Sequence, residues 1–550
     1  MVWFGARSFW GHIRHFVASA IATEDVDSRD WMSADPPPVL VGRIAERLGG
    51  APGQRSVTES LARDLWIDYL ADTGDDVSVS RAVAGLVFRD YQLPDPSRDG
   101  QLLTTPRGDI LLFGGDTAYP VATADEITAR VIEPFNQVLA ERDDGRARVL
   151  LDIPGNHDWY DGLDGFGRMF RRHLVDGGEQ PSGGRNSRTL IDRYTDFARE
   201  FVLGGQIDKP KTLDLTGYEP VQSASYFALP IAPGIGVLAV DRQLKNIDSR
   251  QQHFFVNWLN QNPGMSPWVV LPDPAYRFGG HSVTGSAMVQ SLGLGLTGRP
   301  HFVLSGDVHH YRREVEGPSQ FVTAGGGGAF LHPAPLRRTG LRPAEVEFPD
   351  APQCRRLLWR VPWKVMLGRS GFLPHYAMLL LFVPAVSVGL RIYERTGVMV
   401  SAPIAITVIV TIVYALIGGI RHGQRITLLY ALVAAMMTAA VPIAFSLLLD
   451  HGLGVAHVHL APLLLAAISL AVGVLGGAFI FGAYLALLTA LGLENTQAFT
   501  ALDHPGFKHF VRLRVRADGS AVDGWVVGLV DPLGSDARPV LVDTFTWRAR

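Results

Sequence analysis

The sequence predicts an α/β domain, followed by an all-α bundle of four transmembrane helices and a small β tail. Three observations carry this. Between about residues 60 and 350, short apolar runs end in Gly/Asp turns, as strands do in sheets covered by helices. After residue 372 the chain becomes hydrocarbon-like, in stretches that meet or approach the roughly 20 residues a spanning helix needs. After residue 494 soluble character resumes. The predicted division is an N-terminal extension over 1–60, the α/β domain over 61–350, membrane helices over 373–493 and the tail over 494–550.

The extension opens "MVWFGARSFWGHIRHFVASAIATEDVD", where Arg7, His12, Arg14 and His15 break the apolar run. A secretory signal needs an unbroken run of about 7–15 residues, so none is expected. Two readings stay open: an interfacial helix carrying Trp3, Phe9, Trp10 and Phe16, or a helix packed on the soluble domain.

In the α/β domain the strand-like runs are "DLWIDYLADTGDD", "DILLFGGDTAY", "RVLLDIPGNHDW", "GIGVLAVD", "WVVLPDPAY" and "HFVLSGDVHHY". Their ends carry Asp72, Asp116, Asn156 with His157, Asp273, and Asp307 with His309 and His310. Ligands bind where the carboxyl ends of strands converge, so these side chains are expected to meet in space. Crowded carboxylates repel, and metal cations neutralise them. The stretch "GGEQPSGGRNSR" over 177–188 reads as a loop.

This order of motifs resembles the calcineurin-like metallophosphoesterases, whose pattern runs D-x-H, G-D, G-N-H-D/E, H and G-H-x-H. Gly115-Asp116 matches the second block and Gly155-Asn156-His157-Asp158 the third, over a span of about 65–312. "GGGGAFLHP" (325–333) and "NTQAFTALDHPGFKHFVRLRV" (495–515) resemble a membrane-attached branch of that superfamily. The glycine run by itself is a tight turn, because no Gly-Lys-Ser/Thr follows it. Three positions depart from the pattern: Gly74 replaces the first His, with Asp75 next to it, and Asp273 and Asp307 replace two others.

The resemblance implies a phosphoesterase sandwich and a two-metal site. Asp72, Asp116 and His309 would hold one divalent ion, with Asp116 bridging; Asn156, Asp273 and Asp307 would complete the second. The oxygen-rich second set suits Mn²⁺, Mg²⁺ or Fe²⁺ better than Zn²⁺. The implied reaction is in-line hydrolysis of a phosphomonoester or phosphodiester, with the ions about 3.5–4 Å apart. His157 would protonate the leaving group. His310 is expected to point away from His309, since adjacent strand residues alternate faces. His281 is a loop residue within reach of a phosphate.

Four apolar segments follow, at about 373–390, 398–420, 426–449 and 460–493. The first carries Pro384, and the last holds the small-residue pair Gly473 and Gly477. Arg355, Arg356, Arg360, Lys364 and Arg369 precede the first segment, Arg421 and Arg425 lie in the second loop, and Lys508, Arg512 and Arg514 follow the last. The opposite loops hold just Arg391 and Arg395. The positive-inside rule then places the phosphoesterase domain and the tail in the cytoplasm, on a plasma-membrane protein in contact with the lipid bilayer.

In the tail, Val511, Leu513 and Val515 alternate with Arg512 and Arg514 before a turn at Asp518-Gly519, which reads as a small hairpin without chemistry. Composition bounds the rest. In 550 residues with a net charge of −3 there is no basic excess for nucleic acid. Apolar content of 47% against 19% charged is high for a soluble protein. The single Cys354 excludes an internal disulfide and thiolate metal cages, and fits a reducing compartment. A rival of another class is a catalytically silent membrane sensor or scaffold built on a degenerate phosphoesterase domain. A transporter is disfavoured, because the spans hold almost no charge for an ion pathway.

Overall fold

The computed structural model describes residues 32–98, 100–172, 212–242, 247–294, 300–337, 340–380, 382, 408–416, 428–440 and 462–549. In chain order its strands are β1 (Leu65–Leu70), β2 (Tyr91–Pro94), β3 (Leu102–Thr105), β4 (Ile110–Phe113), β5 (Arg148–Asp152) and β6 (Tyr218–Pro220). Then come β7 (Phe227–Ala232), β8 (Ile235–Ala239), β9 (Ser266–Leu271), β10 (Tyr276–Arg277), β11 (Gly280–His281) and β12 (Phe302–Ser305). The last are β13 (Tyr311–Glu316), β14 (Ser319–Ala324), β15 (Val346–Phe348), β16 (Lys508–Val515), β17 (Ala521–Leu529) and β18 (Val540–Arg548).

Two mixed sheets pack face to face. One has the order β18-β17-β16-β1-β4-β5-β6, the other β15-β13-β14-β12-β9-β8-β7. β1, β4, β5 and β6 run parallel, as do β8, β9, β12 and β14. β4 and β5 are buried at every residue, as their continuous apolar runs require of strands covered on both faces. Alternate residues divide between two cores. Ile110, Leu112 and Leu151 meet Leu229, Val237 and Trp268 between the sheets. Leu111, Phe113 and Leu150 gather with Val83 and Phe135 of the helices Val77–Val87 and Glu133–Glu141. Phe255 and Met288, of Ser249–Gln261 and Val283–Ser291, join Val269 and Leu271 in the same way.

The tail departs from expectation. It is no separate hairpin: β16 pairs antiparallel with β1, and β17 and β18 extend the same sheet. Despite the alternation of apolar and basic residues, all eight residues of β16 are buried. Arg512 lies opposite Asp68 in the β1–β16 register and forms an ion pair with it, which makes burial of both charges tolerable. Phe545 and Trp547 of β18 also pack on Phe302 between the sheets, with ring centroids 5.9 and 5.8 Å away. The apolar block is therefore an insertion between two parts of one sandwich.

The bundle of four spans is not supported. Among the described residues one helix is long and apolar enough to cross a membrane, Leu470–Ala490 within Pro462–Ala490. Residues 373–380, 408–416 and 428–440 are helical pieces of the other three segments, the rest of which lies outside the described residues, as do residues 1–31. Gly477 faces Met378: a Cβ there would stand 2.8 Å from its sulfur, so glycine permits the close approach of these two helices.

Candidate metal centre

The site forms at the carboxyl ends of the parallel strands, where β1, β4 and β12 are each followed within three residues by an aspartate with left-handed backbone. Asp72 has φ 60°, Asp116 φ 54° and Asp307 φ 64°. Aspartate tolerates this region better than most side chains, and such strain collects where geometry serves function. Glycines make room for the turns. A Cβ on Gly155 would lie 2.2 Å from Asp116 Oδ1, and one on Gly325 would lie 2.5 Å from Asp72 Oδ2.

Asp72, Asp116 and His309 are brought together, around a residue that sequence reasoning missed. The Tyr119 hydroxyl lies 2.8 Å from Asp72 Oδ1, 3.3 Å from Asp116 Oδ2 and 3.1 Å from His309 Nε2. His309 Nδ1 is 2.7 Å from the Phe330 carbonyl, which sets the tautomer: Nδ1 donates and Nε2 carries a lone pair. That lone pair lies 3.3 Å from Asp72 Oδ1. The hydroxyl thus stands within hydrogen-bond reach of all three side chains, and all four are buried. Burial first, and neighbouring carboxylates second, hold Asp72 and Asp116 well above the usual carboxylate range. Burial lowers His309 to about 4, so its ring is neutral. A buried cluster of hard oxygens and one neutral imidazole, whose acidic protons a cation can displace, fits a metal ion. As the side chains stand, no group of three or more His, Cys, Asp or Glu among the described residues is drawn close enough to hold one. The phenol occupies the space between them.

The supporting contacts are backbone-rich. Asp116 Oδ1 accepts the His157 N–H at 2.8 Å, and Asp158 accepts the N–H groups of Asp116 and Gly155, each at 2.8 Å. Asp158 is therefore a clamp between the β4 and β5 ends. Asp72 Oδ2 accepts the Asp307 N–H at 2.9 Å, tying the two sheets together at the site. His157 sets Nδ1 2.6 Å from the Pro120 carbonyl and packs tilted against Tyr119, ring centroids 4.3 Å apart. This orients the imidazole beside the cluster.

The first departure from the family pattern has a steric cause. Gly74 has φ 62°, and a Cβ there would lie 2.6 Å from the Thr117 carbonyl oxygen, so no imidazole fits. Asp75 does not stand in for it: its Oδ2 accepts the Phe330 N–H at 3.0 Å. Asp75 thereby holds the backbone of Phe330, the residue whose carbonyl orients His309. His332, also missed, stacks on His309 at 4.1 Å and accepts its N–H through Nδ1 at 3.1 Å.

The second predicted ion does not fit the residues present. Asp273 pairs with Arg242, and Asp307 Oδ2 lies 3.2 Å from Arg277 Nη2. The Asn156 amide donates to the Tyr160 hydroxyl at 3.0 Å. His281 lies on β11 with its ring against Tyr276, 4.9 Å away. His310 is buried and packs against Phe278 at 5.8 Å.

No family model and no curated protein matches this sequence. Among solved structures it is similar to GAP50, the anchor in the inner membrane complex of Plasmodium, at 10% identity and a TM-score of 0.29. That likeness covers 52% of this chain and 78% of GAP50. It is also similar to PhoD at 9% identity and a TM-score of 0.24, over 49% of this chain and 58% of PhoD. Both likenesses are too slight to carry an argument about activity.

Proposed function

We infer that the chain is a membrane-attached, metal-dependent phosphoric ester hydrolase of the calcineurin-like type. The observation that carries this reading is the convergence of Asp72, Asp116 and His309 on one buried phenol. These three side chains and Tyr119 would hold a divalent ion of the Mn²⁺, Mg²⁺ or Fe²⁺ class. When bound, the ion supplies Lewis acidity toward water and the phosphoryl oxygens. The chain supplies the rest. Asp75 and Phe330 keep His309 Nε2 aimed at the cluster, Asp158 holds the Asp116 turn, and His157 presents its ring for proton transfer to a departing alkoxide.

Membrane attachment is supported by the helix Leu470–Ala490 and by a belt beside it. Trp359 is 81% exposed and Trp363 56%, next to Arg355, Arg356, Arg360 and Lys364. Amphipathic aromatic rings with basic neighbours suit the headgroup layer. Because β16 pairs with β1, both sides of the apolar block lie on one face of any bilayer, which demands an even number of crossings. The charge bias assigns that face to the cytoplasm.

The test is metal-dependent turnover of an aryl phosphate and an aryl phosphodiester by detergent-solubilised protein. The reading expects turnover with Mn²⁺ that a chelator abolishes. Protein that binds no divalent ion and turns over neither ester is the silent scaffold or sensor instead.

A further inference from the structure

The parallel strands β1, β4, β5, β8, β9 and β12 all end toward the site, and the sequence assigned no site residue to the end of one of them. β8 ends at Ala239, and Arg242 follows within three residues. The residue before it is firmly seated: Gln251 donates to the Asp241 carbonyl at 2.8 Å and accepts the Asp241 N–H at 2.9 Å. The Asp241 carboxylate accepts from Trp159 Nε1 at 2.9 Å. Arg242 is held at the rim in this way and pairs with Asp273, with side chains 10% and 3% exposed. From the β10–β11 hairpin, Arg277 reaches Asp307.

We propose that this guanidinium pair takes the place of the second metal ion and forms the phosphate-binding half of the site. The proposal rests on the hydrolase reading and deepens it. The two positions where Asp replaces the family's His are the two that meet arginine. A neutral imidazole offers an arginine no opposite charge and a single acceptor; a carboxylate offers a charge and two oxygens. Two aspartates and two arginines sum to zero charge without an ion, so the site is balanced as it stands. A dication placed there would face two positive charges at short range and would compete with them for the two carboxylates.

The same geometry serves a phosphate. A guanidinium carries five N–H donors in a fixed fork matched to phosphate oxygens. Arg277 contacts Asp307 through Nη2 and is 43% exposed, which leaves donors for a ligand. Arginine keeps its charge across the working pH range, so this half of the site holds phosphate without a metal. The ligand class is a phosphate ester or free phosphate, with one ion at Asp72, Asp116 and His309.

Three forms of the full chain separate the outcomes: wild type, Arg277→Ala, and Arg277→Ala combined with Arg242→Gln. Bound Mn²⁺ is counted per chain, and inorganic phosphate binding is titrated with and without Mn²⁺. The expected results are one Mn²⁺ per wild-type chain and, in Arg277→Ala, phosphate affinity lower by at least about tenfold with the Mn²⁺ count still one. Freed of both arginines, Asp273 and Asp307 should admit a second Mn²⁺. If the double variant does not fold, Arg277→Ala decides alone. Two Mn²⁺ per wild-type chain, or phosphate binding indifferent to Arg277, overturns the proposal. No Mn²⁺ in wild type, with phosphate binding still dependent on Arg277, removes the hydrolase reading and upholds the arginine pair.

Discussion

Arg512 and Asp68 form a fully buried, two-pronged ion pair across β16 and β1, at 2.7 and 3.0 Å. The guanidinium also donates to the carbonyls of Val87, Arg89 and Thr105, and Asp68 accepts the Gly108 N–H at 2.8 Å. Every strong partner is therefore internal. The pair joins residues 444 positions apart and locks the returning tail onto the first strand.

Breaking one side of such a pair leaves an uncompensated buried charge, which typically costs about 3–5 kcal/mol. Arg512→Ala and Asp68→Ala should each lower stability by that order in chemical unfolding of the solubilised protein. Replacing both together should cost less than the sum, because neither charge is then left alone. A chain ending before residue 508 should not fold, since β1 would lose one of its two neighbours and Asp68 would be left buried without Arg512.

Tyr119 gives a second prediction. Burial first, and then Asp116 and Asp72, hold its hydroxyl well above the ordinary phenol value, so it is protonated without an ion. A cation entering the cluster favours loss of protons from Tyr119, Asp72 and Asp116, so uptake should release protons and affinity should rise with pH. Calorimetry in buffers of different ionisation enthalpy reads this directly. Tyr119→Phe should weaken Mn²⁺ binding by at least about tenfold and reduce the proton release.

Gly74 tests the steric argument at the first departure from the family pattern. Gly74→His restores the family residue but meets the Thr117 carbonyl and a positive φ. It should lower the melting temperature and gain no metal affinity. A stable variant with tighter Mn²⁺ binding would show that the loop accommodates an imidazole after all.

Acid sensitivity follows from histidines buried as neutral rings outside the ligand set. Burial lowers His310 to about 3, His504 to about 4 and His509 to about 3, against 6.5 for a free ring. The unfolded chain binds these protons first. Stability of the metal-saturated protein should be full above about pH 6.5 and fall progressively toward pH 4, by at most about 1.4 kcal/mol per histidine per unit. Melting temperature against pH measures it, and a flat profile between pH 7 and 4.5 would contradict it.

Much of this arrangement is written in short-range pattern. The apolar runs of β4 and β5, buried on both faces, mark parallel strands, and the polar residues after them meet because strand ends meet. Asp72, Asp116, His157 and His309 were legible for that reason. Tyr119 was not: an aromatic three residues beyond Asp116 looks like core until its hydroxyl is seen among acceptors. Arg242 and Arg277 carry no motif, and their meaning depends on aspartates 31 and 30 positions away, by numbering. The tail was misjudged because alternation reports two faces and not what covers them. Arg512 occupies a polar position whose neighbour is Asp68, 444 residues earlier.

The central claim, a hydrolytic metal centre at Asp72, Asp116 and His309, is tested most directly by Mn²⁺-dependent hydrolysis of an aryl phosphate by wild type and by His309→Ala. The account predicts turnover that follows Mn²⁺ occupancy in wild type, with loss of both bound Mn²⁺ and turnover in His309→Ala while the fold is retained. Unchanged Mn²⁺ content and rate in His309→Ala would contradict it.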